Sequence, residues 1–173
     1  MYNFTQDWFS HNLKLFNKFL TQFKDKKVKF LEIGSYEGRS AIWMLENILS
    51  KDSELILVEP GYELTNNDVL KENIKNFVNC KLIEQPFEIA SKKLLWEKFD
   101  FVYIDGNHSK YNCYLDCVLG FHMLKYDGIL AIDDYGWDLF YNDGTRPKEA
   151  IDKFLNNPNV RLLHKGYQVW ITK

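Results

Sequence analysis

The stretch KFLEIGSYEGRSAIWMLENIL, from Lys29 to Leu49, decides how the fold is read. Its opening residues make a buried strand that ends in a carboxylate, Glu32. Gly34 and Gly38 then bracket Ser35, Tyr36 and Glu37, which makes a tight turn, because glycine takes positive φ and lets the backbone come close to a ligand. Ala41, Ile42, Leu45, Ile48 and Leu49 follow at helical spacing. A strand, a glycine turn and a helix in this order begin a β–α unit.

Similar units continue outward along the chain. ELILVEP is a second strand, stopped by Pro60 and Gly61. A polar, helix-compatible segment runs from about Asn67 to Phe77. CKLIEQ and FDFVYID read as the third and fourth strands. Tyr111 to Leu124 is a helix with Leu115, Val118 and Leu119 facing inward. Asp127-Gly128 makes the turn into ILAIDD, the fifth strand. Lys148 to Leu155 is a helix, and VRLLHKGYQVWITK reads as a hairpin turning at Lys165-Gly166. Ahead of all this, Phe9, Leu13, Phe16, Leu20 and Phe23 mark an N-terminal amphipathic helix within residues 1–25. Alternating strands and helices with near-continuous apolar strands predict an α/β fold, a parallel sheet covered on both faces.

The chain has 173 residues, which fits a single domain, 1–173. With 46% hydrophobic and 16% aromatic residues it can fill a core. A net charge of −2 gives no sign of nucleic-acid binding, which shows as a basic excess. Three cysteines, Cys80, Cys113 and Cys117, and no secretory pattern predict reduced thiols in a cytoplasmic protein. Cys113 and Cys117 read as small buried residues. No apolar run is long enough for a bilayer.

Ligands of such sheets bind beyond the carboxyl ends of the strands. Those ends carry Glu32-Ile33-Gly34, Glu59-Pro60, Glu84-Gln85-Pro86, Asp105-Gly106-Asn107-His108 and Asp133-Asp134-Tyr135. Acidic and polar side chains therefore collect at one edge. A dinucleotide turn would read G-x-G-x-x-G, but Tyr36 stands where its middle glycine belongs. Glu32 and Glu37 would also repel a pyrophosphate. A ligand with an amino group, a sulfonium and a ribose suits the turn better, and S-adenosylmethionine has all three. Glu59, at the tip of strand two, is placed to accept hydrogen bonds from ribose hydroxyls.

LEIGSYEGRSAIWML, LILVEP, the block from FDFVYIDGNHS to AIDDYGW, and the C-terminal KEAIDKFL…VRLLHKGYQVWITK together resemble the class I S-adenosylmethionine-dependent methyltransferases. The nearest resemblance is to the metal-dependent O-methyltransferases that include the macrocin-type sugar enzymes. It implies a Rossmann-like doubly wound sheet of seven mostly parallel strands with an antiparallel C-terminal hairpin strand. It also implies that Glu32, Gly34, Ser35, Tyr36, Gly38, Glu59 and Asp105 line the cofactor, with Gln85 near the adenine. Asp105, Asp133 and Asp134 match the three metal-binding acidic positions, although the first of the pair is often glutamate in the sugar enzymes.

The chemistry asks for such residues. An alcohol is a poor nucleophile while protonated, and a divalent cation such as Mg²⁺ bound to its oxygen lowers its pKa. Hard cations of this kind take carboxylate ligands and keep open positions. His108 lies three residues past Asp105, and an imidazole titrating near neutrality suits a general base. In the resembled enzymes a histidine at this D-x-x-H spacing takes the acceptor's proton. Tyr135, Trp137, Asp138, Tyr141 and Asp143 belong to a segment where an acceptor, a sugar or a similar small polar molecule, would be held. If the short N-terminal segment does not close the pocket, a second copy of the chain completes it. Two alternatives stay open: a metal-independent methyltransferase with His108 acting alone as base, and a non-catalytic binding module on the same scaffold.

Overall fold

The computed structural model describes residues 2–61, 67–137 and 147–173. Seven strands form one sheet: β1 (Lys29–Ile33), β2 (Glu54–Val58), β3 (Cys80–Ile83), β4 (Phe99–Ile104), β5 (Leu124–Ile132), β6 (Arg161–Lys165) and β7 (Val169–Thr172). Their spatial order is β3-β2-β1-β4-β5-β7-β6. β1 to β5 pair in parallel, and β7 runs antiparallel to both β5 and β6. This is the doubly wound sheet with an antiparallel C-terminal strand that the sequence predicts.

Alternation along each strand sends side chains to two cores. Leu31, Ile33, Val102 and Ile104 face α4 (Phe87–Leu94), α5 (Lys110–Met123) and α6 (Pro147–Leu155). Phe30, Phe101 and Tyr103 face α1 (Leu13–Leu20), α2 (Arg39–Asn47) and α3 (Asn67–Ile74). Phe16, fully buried on α1, sets its ring edge-on to Phe101, Tyr103 and Trp170 at centroid distances of 6.0, 5.0 and 5.2 Å. Burying an aromatic side chain of this kind contributes roughly 1.5–3 kcal/mol. The N-terminal apolar periodicity therefore marks a real helix, flanked by short 3₁₀ turns at Ser10–Asn12 and Thr21–Phe23.

Two local readings change. A helix, α4, fills the connection between β3 and β4, which the sequence reading left without one. Pro86 stands at its N-cap, and Phe87, Ala90, Ser91 and Leu94 are buried. Its polar residues alternate closely with these, so the apolar stripe is narrow. β5 also begins earlier than Ile129: Leu124 pairs with Phe99, Ile129 with Phe101, and the register shifts between them. Asp127, at φ +60, belongs to that irregularity inside the strand.

The chain leaves β1 toward β2 and β3 on one side and returns to β4 on the other. β1 and β4 are neighbours, so their tips form the topological switch point where such sheets take ligands. The register carries Ile33 beside both Val58 and Ile104, and Ile104 beside Ile132. The residues that follow, Gly34, Glu59, Asp105 and Asp133, are thereby aligned along one edge. The described residues contain no helix long and apolar enough to cross a membrane.

Candidate active site

The glycine turn lies against β4. Gly34 has φ +83, and a β carbon there would fall 2.0 Å from the Asp105 carbonyl oxygen. Asp105 in turn donates its N–H to the Ile33 carbonyl at 2.8 Å. Gly38, at φ +82, is the N-cap of α2, and a β carbon there would meet Leu70 at 2.7 Å. Tyr36 is held at φ +48 between them.

Carboxylates organise this turn from within. Glu59, 5% exposed, accepts hydrogen bonds from the Ser35 and Tyr36 amides at 2.9 and 3.0 Å through Oε2, and from the Gly61 amide at 3.2 Å through Oε1. Glu32 is fully buried and accepts the Ser40 hydroxyl through Oε1. Its Oε2 and the Ser35 Oγ have no hydrogen-bond partner among the described residues. Burial and, more weakly, the nearby Glu59 push the Glu32 pKa up to about 8, against the Ser40 hydrogen bond. A buried acceptor without a donor costs about 1–3 kcal/mol, so the turn has a standing demand for a donor or a cation.

The acid cluster stands on the neighbouring strand tips. Asp105, His108 and Asp134 each offer a ligand atom, and these atoms lie within 4.8 Å of one another. His108 Nε2 is 2.6 Å from Asp134 Oδ2. The same groups, with Asp133 and Cys113, line a cavity of about 10 Å³, room for one water-sized occupant. Burial, then repulsion by Asp133, Asp134 and Glu32, raises the Asp105 pKa far above the ordinary carboxylate range. Burial and Asp134 also raise that of Asp133. Among the described residues, no lysine or arginine forms an ion pair with these three carboxylates.

Asp133 differs from its companions. Its Oδ2 accepts from Asn12 Nδ2 at 2.9 Å, from Gln168 Nε2 at 3.0 Å and from the Tyr103 hydroxyl, while Oδ1 accepts from the Asp134 amide at 2.8 Å. One carboxylate thus ties the N-terminal segment, β4 and the β6–β7 turn together. It stands beside the cluster, and the ligand-distance group of the structure contains His108 in its place. Asp134, at φ +57, is turned outward, with Oδ1 accepting the Tyr167 hydroxyl at 2.8 Å. Burial and the Asp134 charge keep that phenol protonated by raising its pKa.

The other anticipated residues are less concentrated. Gln85 is half-buried at the tip of β3, where its Oε1 accepts from Lys93 at 3.2 Å. Trp137 sets its ring against His108 at 4.7 Å. Tyr135 turns instead toward α6, donating to Asp152 at 3.0 Å, with Lys148 and Lys165 over its ring. Asp138, Tyr141 and Asp143 lie outside the described residues. Trp8 packs on Tyr36 at 5.0 Å, and Thr5 donates its amide and hydroxyl to Glu37 at 2.6 and 2.7 Å. The segment ahead of α1 thus reaches the glycine turn. Cys113 and Cys117 are buried free thiols, as expected of small core residues.

Asn12, Tyr103, Tyr167 and Gln168 were not anticipated. Tyr103 carries a usable signal: a tyrosine two residues before Asp105 shares its face of β4, and a buried hydroxyl needs a partner. Tyr167 and Gln168 carry none, because only the antiparallel return of β7 beside β5 brings them to the site.

Against known proteins, a family model described as "Methyltransferase domain" matches residues 31–135, more than half of the chain. No curated protein matches it in sequence. The fold is shared with an O-methyltransferase from Bacillus cereus solved with S-adenosylhomocysteine, at TM-score 0.75 and 18% identity over 98% of this chain and 84% of the other. It is shared too with a methyltransferase of Podospora anserina bound to S-adenosylhomocysteine, at TM-score 0.61 and 27% identity over 83% and 70%. A third is the O-methyltransferase TomG of Streptomyces achromogenes, involved in tomaymycin synthesis and solved with S-adenosylmethionine, at TM-score 0.69 and 13% identity over 95% and 80%. The match begins within β1 and ends just past the acidic pair, so it spans both halves of the site, and the chain belongs to the methyltransferase-domain family.

Proposed function

We propose that this S-adenosylmethionine-dependent methyltransferase carries its methyl group to a hydroxyl oxygen of a sugar or similar small polar acceptor, assisted by a divalent cation. The observation that carries the reading is the Asp105–His108–Asp134 cluster, whose ligand atoms fall within 4.8 Å of one another on the strand tip adjoining the glycine turn. The relative from Podospora anserina, bound to the demethylated cofactor, supports the donor.

The residues present fit both groups. For the cofactor, Glu32 Oε2 and Ser35 Oγ are the unpartnered acceptors that an α-amino group would satisfy. Glu59 Oε1, which accepts from the Gly61 amide at 3.2 Å, is the oxygen that a ribose hydroxyl would share. Gly34 and Gly38 let the turn pack against the β4 tip and α3, Tyr36 walls it, and Gln85 stands on the adenine side. For the cation, Asp105, Asp134 and His108 form a hard oxygen and nitrogen donor set beside a water-sized cavity, with negative charge in excess. Asp133 shares the metal role only by resemblance. Its four hydrogen bonds assign it to holding the cluster in place.

S-adenosylmethionine supplies an electrophilic methyl group, and a bound cation would lower the pKa of the acceptor hydroxyl. The protein's own share is positional. Asp105 and Asp134 fix where the acceptor oxygen can sit, the glycine turn fixes the donor, and Trp137 and Tyr167 flank the approach. Holding the reactants in line accounts for much of such a rate enhancement.

A second reading rests on the 2.6 Å contact between His108 and Asp134. A carboxylate at this distance orients an imidazole, which is what a general base needs without a metal. Methyl transfer from radiolabelled cofactor to a panel of sugars, with and without a chelator, tests both. Loss of transfer on chelation and recovery with Mg²⁺ supports the assisted mechanism. Transfer that survives the chelator but fails in His108→Ala selects the base alone. No transfer to any hydroxyl acceptor would overturn the assignment to oxygen.

A further inference from the structure

Tyr167 is 42% exposed at the turn between β6 and β7, far in sequence from every residue so far given a role in binding. Its hydroxyl reaches Asp134 Oδ1 at 2.8 Å while His108 holds Oδ2 of the same carboxylate at 2.6 Å. The backbone reinforces the contact. Gly136, two residues past Asp134, donates its amide to the Tyr167 carbonyl at 3.0 Å. A β carbon on Gly136 would come within 3.0 Å of the Tyr167 Cα, so the two segments lie in close contact. The adjacent Gln168 holds Asp133 at 3.0 Å, and the His11 ring stands edge-on to the Tyr167 ring at 5.3 Å.

We infer that Tyr167 is a positioning residue for the cation site: its hydroxyl fixes one oxygen of Asp134 and thereby presents the other to the cluster with Asp105 and His108. This rests on the cation reading proposed above. The geometry asks for such a clamp. Asp134 sits at φ +57, in the left-handed region that aspartate tolerates better than most residues other than glycine. A carboxylate at a loop start has several rotamers, and the Tyr167 hydroxyl on Oδ1 holds the one that sets Oδ2 against His108. Hydrogen bonds from outside the ligand set commonly orient metal-binding side chains in this way. The C-terminal hairpin, which closes the sheet, therefore also sets the acid cluster: Gln168 through Asp133 and Tyr167 through Asp134.

The test uses the full chain and Mn²⁺ alone, with free ion followed by electron paramagnetic resonance. Tyr167→Phe removes the hydroxyl and keeps the ring. Tyr167→Leu removes both. The wild type is expected to bind Mn²⁺, and both variants to bind it on the order of tenfold more weakly, with thermal unfolding of Tyr167→Phe unchanged. Wild-type affinity in Tyr167→Phe with loss only in Tyr167→Leu makes the residue a packing element and overturns the inference while sparing the cation site. Absence of Mn²⁺ binding by the wild type overturns the inference and the cation reading together.

Discussion

A β carbon at Gly34 would stand 2.0 Å from the carbonyl oxygen of Asp105. The glycine turn after β1 and the acidic tip of β4 are thus packed backbone against backbone. Gly34→Ala adds both this overlap and a side chain at φ +83. We expect it to cost several kcal/mol, toward the upper range of single substitutions. A urea unfolding midpoint near that of the wild type would show that the two tips are more loosely packed.

Glu32 makes stability depend on pH. Its pKa is pushed up to about 8 in the folded protein against the ordinary 4.5, so the folded state keeps a proton that the unfolded chain gives up above pH 4.5. Stability is full below about pH 4.5, falls as pH rises toward 8, and levels beyond, at about 1.4 kcal/mol per unit of displacement. Asp105 and Asp133, also raised, add loss of the same sign. Glu32→Gln should reduce this slope, with a larger gain in urea midpoint over the wild type at pH 8.5 than at pH 5, while weakening cofactor binding. An unchanged slope would mean that Glu32 is already ionised in the folded protein.

The adjacent aspartates should separate by function. Asp133 accepts from Asn12, Tyr103 and Gln168, so Asp133→Asn turns an amide donor toward groups that already donate. We expect about 1–3 kcal/mol of lost stability, read from chemical denaturation. Asp134→Asn should leave stability close to wild type and abolish Mn²⁺ binding. Equal effects of the two substitutions on both measurements would erase the distinction.

The N-terminal segment should be tied to the turn by one side chain above others. Glu37 accepts both the amide and the hydroxyl of Thr5. Thr5→Ala removes one of these bonds, at about 1 kcal/mol. Amide hydrogen exchange should then quicken over residues 2–8 while β1 and β4 keep their protection. Uniform acceleration across the sheet would show that the segment supports the whole fold and not the turn alone.

How much of this could be read from the chain itself follows from the range of each interaction. The strand tips were legible because apolar runs such as LILV and FVYI stop at acidic residues, and parallel pairing in register then brings those tips to one edge. The glycine turn was legible because Gly34 and Gly38 are demanded locally. α4 was missed because its buried face is narrow, and the early start of β5 because Lys125 to Asp127 read as polar turn residues. Within the site, Asp105, His108 and Asp134 could be named, since each lies at a strand end. Their sorting from Asp133 could not. That depends on Asn12, 121 residues away, and on Gln168, 35 residues away, reaching one carboxylate. Contacts so distant leave no spacing to read.

The central claim is that this glycine turn and its unpartnered Glu32 and Ser35 receive the positively charged end of S-adenosylmethionine. Isothermal titration of the purified protein with S-adenosylmethionine measures it directly, repeated in two buffers of different ionisation enthalpy. The account predicts stoichiometric binding that releases a proton near pH 7, as the ligand's charge ionises Glu32, and loss of that proton in Glu32→Gln. Heatless injections, with the ligand recovered free by equilibrium dialysis, would contradict it.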